Sequence, residues 1–410
     1  MTPFLQFILF LSLLLTLAKL GGYISTRLGQ PVVLGELLVG LALGPSLINI
    51  FHISIFENIV LEEIISDLAQ IGVLLLMFVA GLELHFTELV RNMKVSALAG
   101  IFGVLTPLGL GYLTGLAFGF EPVPAFYLGL TLGATSVSIS AQTLMELKML
   151  RSRVGLGLLG AAVFDDIFVI LLLSSFLAFT GSQGEIATIA WVFARMVIFL
   201  GISLLFGIWA LPWLARRVSR LPISQGVVTL ALVVMLLYSL AAELVGGMAA
   251  ITGAFLAGLM FARSPEKERL ERGINAVSYG FFVPIFFAHI GLSVNLRGLD
   301  SGIVWLFLGI SAVAILGKLI GAGLGARLAQ FSWRESAQLG VGMISRGEVG
   351  LILASVGMSE RLISEAKFSA IVGMIVVSTL VTPPLLRSLF SVEKSKLEAE
   401  DGTLLEEEIS

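Results

Sequence analysis

The chain has 410 residues, 57% of them apolar and only 13% charged, about half the ~25% charge content of an ordinary soluble domain. Together with a mean hydropathy of +1.01, this excludes a soluble enzyme or a nucleic-acid binder and indicates a polytopic helical membrane protein. The net charge of −3 carries little weight, since distribution matters more than sum in such a chain, and the absence of cysteine rules out disulfides and thiolate metal sites.

Thirteen apolar spans are predicted, near residues 3–21, 31–50, 62–82, 95–118, 125–146, 154–180, 187–213, 224–243, 247–262, 274–294, 302–326, 336–358 and 367–389. The opening MTPFLQFILF lacks a basic region and a small-residue cleavage site, so it reads as a retained first helix. Residues 1–390 form the membrane domain, and 391–410, SVEKSKLEAEDGTLLEEEIS, form a short acidic tail. Alternate loops divide unevenly by charge. One side holds 19 of the 25 Lys and Arg, including Arg91, Lys94, Arg216, Arg217, Arg269 and Arg272; the other holds Arg297, Arg361 and Lys367. The positive-inside bias places the C-terminus in the cytoplasm and, with an odd number of spans, the N-terminus outside.

The sequence also resembles itself. GELLVGLALG (35–44) is similar to GAFLAGLMFA (253–262), and MFVAGLEL (77–84) to FAHIGLSV (287–294), each about 210–220 residues apart. Pro107 and Lys318, Ser138 and Glu348, and Asp165 and Val376 keep that spacing in position, though not in chemistry. The units are spans 2–6 and 9–13. Corresponding spans are seven apart, so the halves face opposite ways, an inverted repeat with a site expected near the midplane.

Polar groups interrupt the later spans. In span 5, Thr131, Thr135, Ser136, Ser138 and Ser140 break the apolar run. Such hydroxyls partner carbonyls freed where a helix unwinds, and freed carbonyls at half-helix ends are cation ligands; a continuous helix with small packing residues is the alternative. Span 6 contains AAVFDDIFVI (161–170), whose Asp165 and Asp166 are costly at mid-membrane. Adjacent helical residues point about 100° apart, so the pair cannot share one proton on one face; one carboxylate can face a cavity and the other a neighbouring helix. Lys318 in span 11 is deep enough to partner Asp165 or Asp166, or else to snorkel to an interface. In span 12, Arg346, Gly347, Glu348 and Gly350 make a polar, glycine-punctuated interruption, with Arg346 and Glu348 neutralising each other or supporting half-helix dipoles. Glu36, His289, Arg195 and Glu243 are weaker signals. There is no phosphate-binding loop, no dinucleotide fingerprint, and no usable metal cluster among three histidines. No cofactor and no nucleic-acid partner is expected, and the chain reads as a transporter rather than an enzyme.

AAVFDDI, ILGKLIG, ATSVSISA and RGEVGLI, with QPVVLGELLVGLALGP, GVLLLMFVAGLEL and GEVGLILAS, resemble the monovalent cation:proton antiporters of the NapA and NhaA type, NapA-like members most of all, from about residue 25 to 390. The resemblance implies an all-α fold of two inverted five-helix repeats with two broken crossing helices. It implies a transport core of about 95–180 and 302–389, and a dimerisation panel of about 3–82 and 187–294 in a homodimer. It implies that Asp166 binds Na⁺ (or Li⁺ or K⁺) and protons in turn by alternating access, that Asp165 pairs with Lys318, and that Thr135, Ser136 and Ser138 contribute oxygens. Electrogenic exchange, pH homeostasis, and a prokaryotic plasma membrane or an internal membrane such as the thylakoid follow from the same likeness. The related potassium efflux branch of Kef type usually carries Gln-Asp at the aspartate pair and adds a nucleotide-binding domain; this chain has Asp165-Asp166. A sodium-coupled solute symporter is the other reading of such a fold.

Overall fold

The computed structural model describes residues 2–56, 59–84, 87, 91–180, 186–293, 301–359 and 361–407. Among the described residues every regular element is helical: α1 (Pro3–Arg27), α2 (Val32–Leu43), α3 (Ile59–Glu83), α4 (Met93–Ala117), α5 (Pro122–Gly133), α6 (Ser138–Glu146), α7 (Arg153–Thr180), α8 (Ile186–Val218), α9 (Gly226–Ala241), α10 (Ala250–Phe261), α11 (Lys267–Val277), α12 (Val283–Leu292), α13 (Ser301–Leu328), α14 (Trp333–Gly342), α15 (Glu348–Ser359) and α16 (Glu365–Glu407). A π-helical turn over Ser278–Phe282 joins α11 to α12. Ten passes are long and apolar enough to cross a membrane, with α5 and α6 counted together. The short helices α2 and α10 and the broken pair α14–α15 complete thirteen.

Boundaries depart from the hydropathy reading where local chemistry intervenes. The second span ends at Leu43 and not near 50, because Gly44 is extended and Pro45 offers no amide to continue the ladder. The tenth begins at Lys267, with KERLERGINAV burying only Leu270 and Ile274 before the π-helical turn. The last helix runs on through the acidic tail to Glu407, a stretch of Glu, Lys, Ala and Leu that favours helix on propensity alone.

All five tryptophans lie on the outer surface. Trp191 and Trp305 sit near the starts of α8 and α13, on one face; Trp209, Trp213 and Trp333 sit at the opposite face. Along α8, Trp191 and Trp213 are about 33 Å apart at 1.5 Å per residue, close to the thickness of a hydrocarbon core, as for two interfacial aromatic belts.

The helices pack in two groups. The first joins α1, α2, α3, α9, α10 and α12; the second joins α4–α7 and α13–α16, with α6 also lying against α2 and α3, and α8 touches both. Helix boundaries recur about 210–220 residues later, α2 against α10 and α4–α7 against α13–α16. The residue likeness between the halves has a physical cause. Gly40 of α2 lies against the Ala288 carbonyl and Gly291 of α12 against the Leu37 carbonyl; in the repeat-related pair, Gly258 of α10 lies against the Phe78 carbonyl and Gly81 of α3 against the Phe255 carbonyl. A Cβ at any of the four would overlap the facing carbonyl oxygen. The repeated glycines let two helix pairs cross backbone to backbone. Gly258→Val is therefore expected to cost at least the 1–3 kcal/mol typical of overpacking, since rigid backbone faces the new methyl groups. A lowered melting temperature in detergent checks this, and an unchanged one would contradict the close crossing.

A polar cluster crosses between the groups at the start of α2. Glu146, the last residue of α6, accepts from the Val32 amide at the start of α2 at 2.7 Å, and Gln142 donates to its other oxygen at 2.9 Å. Outside the crossings, Glu36 is buried and pairs with Lys19 of α1 at 3.2 Å.

Candidate functional site

The fifth and twelfth passes both break mid-way, at residues 134–137 and 343–347, and the breaks meet. The Ser136 amide donates to the Ser345 carbonyl at 3.0 Å. In return the Ser345 hydroxyl donates to the Ser136 carbonyl at 2.5 Å. Ser140 donates to the Gly342 carbonyl at 2.6 Å, and the Ser136 and Ser138 hydroxyls are 2.9 Å apart. Each break thus supplies partners for backbone groups that the other would leave orphaned in a medium without water. Gly347 leaves room for this approach: a Cβ there would come within 2.7 Å of the Ser136 side chain.

Arg346 is fully buried at the crossing. Its Nη1 donates to the carbonyls of Met343 (3.3 Å) and Ile344 (2.5 Å), and its Nη2 to those of Leu132 (2.7 Å) and Ala314 (3.1 Å). Met343 and Ile344 follow α14, and Leu132 is in the last turn of α5. One guanidinium therefore sits where two helix C-termini, each with a partial negative charge of roughly half a unit, come together. Thr379 of α16 completes the shell, donating to the Arg346 carbonyl at 2.5 Å. The side chain of Glu348 lies outside the described residues, so its relation to Arg346 does too; its backbone opens α15.

The two aspartates of α7 part company. Asp165 is buried and accepts from the Lys318 ammonium of α13 at 2.5 Å, with both side chains closed to the exterior. Lys318 does not reach a membrane interface. Asp165 Oδ2 has no hydrogen-bond partner among the described residues. Asp166 is only partly buried and turns to the other helix group, where its Oδ2 accepts from Thr252 of α10 at 3.0 Å. Asp166 and Arg346 also lie within electrostatic reach of Lys318, so aspartate pair, lysine and crossing form one charge cluster. Thr135, in the first break, is buried with a hydroxyl that has no partner among the described residues, an oxygen available to a guest.

Ser345, Thr379 and Thr252 were not legible as site residues. Ser345 stands at the repeat spacing from Ser136, which is the one signal that could have found it. Thr252 has no counterpart by that spacing: the equivalent position in α2 is Leu34. No group of three or more acidic, histidine or cysteine side chains suited to a resident metal occurs among the described residues.

The family described as "Sodium/hydrogen exchanger, transmembrane" matches residues 12–391. The chain is 39% identical to the Na⁺/H⁺-K⁺ antiporter GerN of Bacillus cereus, covering 96% of this chain and 99% of the relative. It is 36% identical to a Na⁺/H⁺ antiporter of Enterococcus hirae, over 93% and 98% of the two chains. Its fold is similar to that of the sodium proton antiporter MjNhaP1 from Methanocaldococcus jannaschii, with a TM-score of 0.68 at 18% identity, covering 95% of this chain and 97% of that one.

Proposed function

This chain belongs to the transmembrane sodium/hydrogen exchanger family, and from that premise we propose that it exchanges Na⁺ for protons through the carboxylate of Asp166. It is a multi-pass membrane protein and a cation/proton antiporter. The observation that carries the finer reading is the division of labour between adjacent aspartates: Lys318 closes off Asp165 at 2.5 Å, while Asp166 turns to the boundary between the helix groups.

The physical logic is that of an obligatorily occupied carboxylate. A bare charge is costly to carry past a hydrophobic barrier. Asp166 therefore crosses either with a cation or with a proton and does not cross empty, so one gradient drives the other. Thr135, with Ser136 and Ser138 near the breaks, supplies oxygens to the dehydrated ion; oxygen donors suit a hard cation. The group containing α4–α7 and α13–α16 is the mobile core, and the other is a static panel through which two copies dimerise. The inverted halves give inward- and outward-open states of similar energy. If Asp165 releases Lys318 when the cation binds and the lysine gives up a proton, more protons than cations move and exchange is electrogenic. The N-terminus lies outside and the C-terminus in the cytoplasm of a prokaryotic plasma membrane, following the basic loops.

The test is proton flux in proteoliposomes loaded with a pH-sensitive dye, with Na⁺, Li⁺ and K⁺ added in turn across a range of pH. K⁺ is included because the name of GerN carries it. Proton movement driven by Na⁺ without any organic solute is expected. Movement only with K⁺ would transfer the proposal to the Kef-like branch, and uptake that needs an organic solute would replace it by a symporter.

A further inference from the structure

We propose that Thr252 is a positioning residue that competes with the transported ions for Asp166. The inference rests on the reading above, that Asp166 is the cargo carboxylate. Thr252 lies in the first turn of α10, 3% exposed, with its amide bonded to the Ala249 carbonyl. Its hydroxyl donates to Asp166 Oδ2 at 3.0 Å. A hydroxyl holds one proton, and here that proton is spent on a carboxylate oxygen that a cation or an incoming proton would use. Thr252 also belongs to the helix group opposite to that of Asp166. Its bond therefore exists only while the two groups stand in this arrangement, and it favours the ion-free, ionised carboxylate.

Charged groups on the elements around Asp166 are placed as follows among the described residues. Asp165 shares its helix and Lys318 comes from α13, while Arg346 sits at the crossing within reach of Asp165 and Lys318. Helix α10 contains no ionisable residue at all. In α4, Lys94 lies at the very start, and Tyr112 is one turn from the far end; in α5, Tyr127 is committed to the Leu353 carbonyl; in α6, Glu146 is at the end that caps α2. In α8, Arg195 is held by the carbonyls of Leu244 and Val245, and in α14 Arg334 and Glu335 are in the first turn. Thr252 thus meets Asp166 as a neutral donor from the helix group opposite to the Asp165–Lys318 pair.

Thr252→Val keeps the branched shape and removes the hydroxyl. Loss of one hydrogen bond to a charged group corresponds to about a tenfold change in affinity. The expected result is a KM for Na⁺ about tenfold lower at alkaline pH, where protons do not compete, and a pH midpoint of exchange displaced upward by up to about one unit. Thr252→Ser should restore wild-type values and, being the gentler change, keeps the test alive if the valine variant folds poorly. Sodium binding measured in detergent gives the same affinity without transport. Wild-type KM and midpoint in a folded Thr252→Val would overturn the inference, and so would a raised KM, which would make the hydroxyl a ligand and not a competitor. Failure of the underlying reading is separable: it would show as exchange surviving Asp166→Asn, whatever Thr252 does.

Discussion

Asp166→Asn should abolish cation-driven proton flux while leaving a folded protein. Asparagine keeps the shape and an acceptor oxygen, so the bond from Thr252 across the group boundary is retained and packing is undisturbed. What disappears is the ability to hold a proton or to neutralise a cation. If Asp166 is the carrier, no other group in its place takes over: Asp165 is engaged by Lys318 and shut away from the exterior. Flux in liposomes should fall to the protein-free background. Exchange within tenfold of wild type would mean that the ions travel by another route, and the assignment of Asp166 would be wrong.

Lys318→Gln should have the largest effect on stability. The ammonium and Asp165 are both almost wholly buried, and one carboxylate oxygen already lacks a partner among the described residues. Removing the cation strands a charge in a low-dielectric interior. Breaking one side of such a pair costs roughly 3–5 kcal/mol, whereas replacing both sides can be nearly neutral. The double variant Asp165→Asn, Lys318→Gln should thus melt well above the single one. If the single variant melts like wild type, the pair contributes no such balance. Comparing the membrane potential generated by the double variant with that of wild type then isolates the proton-carrying role proposed for the lysine: exchange that persists but no longer generates a potential would support it.

Much of this architecture is written in apolar period and charge. Span number, inverted halves and the interruption of the fifth and twelfth passes all follow from lengths, glycines and hydroxyls, because a bilayer punishes unsatisfied backbone and so leaves few solutions. Helix ends were less legible. The early stop of α2 depends on the local backbone at Gly44 and Pro45, which a hydropathy window averages away, and the polar lead-in of α11 reads as loop in sequence because its charges outweigh two buried residues. At the site, the aspartates, Lys318, Arg346 and the hydroxyls of the first break stand out as expensive groups in apolar surroundings. Thr252 does not, since a single threonine in AITGAFLAG costs little and its meaning depends on which helix lies opposite. Arg346 shows a related limit: sequence displays side chains and not the backbone, and the two terminal nitrogens of this arginine donate to four backbone carbonyls at the crossing.

The doubled glycine contacts carry a mechanical consequence. Gly40 and Gly291 lie near the C-terminal ends of α2 and α12, which finish at one face; Gly81 and Gly258 lie near the C-terminal ends of α3 and α10, which finish at the other. The frame is thereby braced once in each leaflet. If Asp166 is the cargo carboxylate proposed above, a scaffold pinned at both levels leaves the joint between frame and neighbour, where Thr252 and Glu146 stand, as the place for a watery passage toward it.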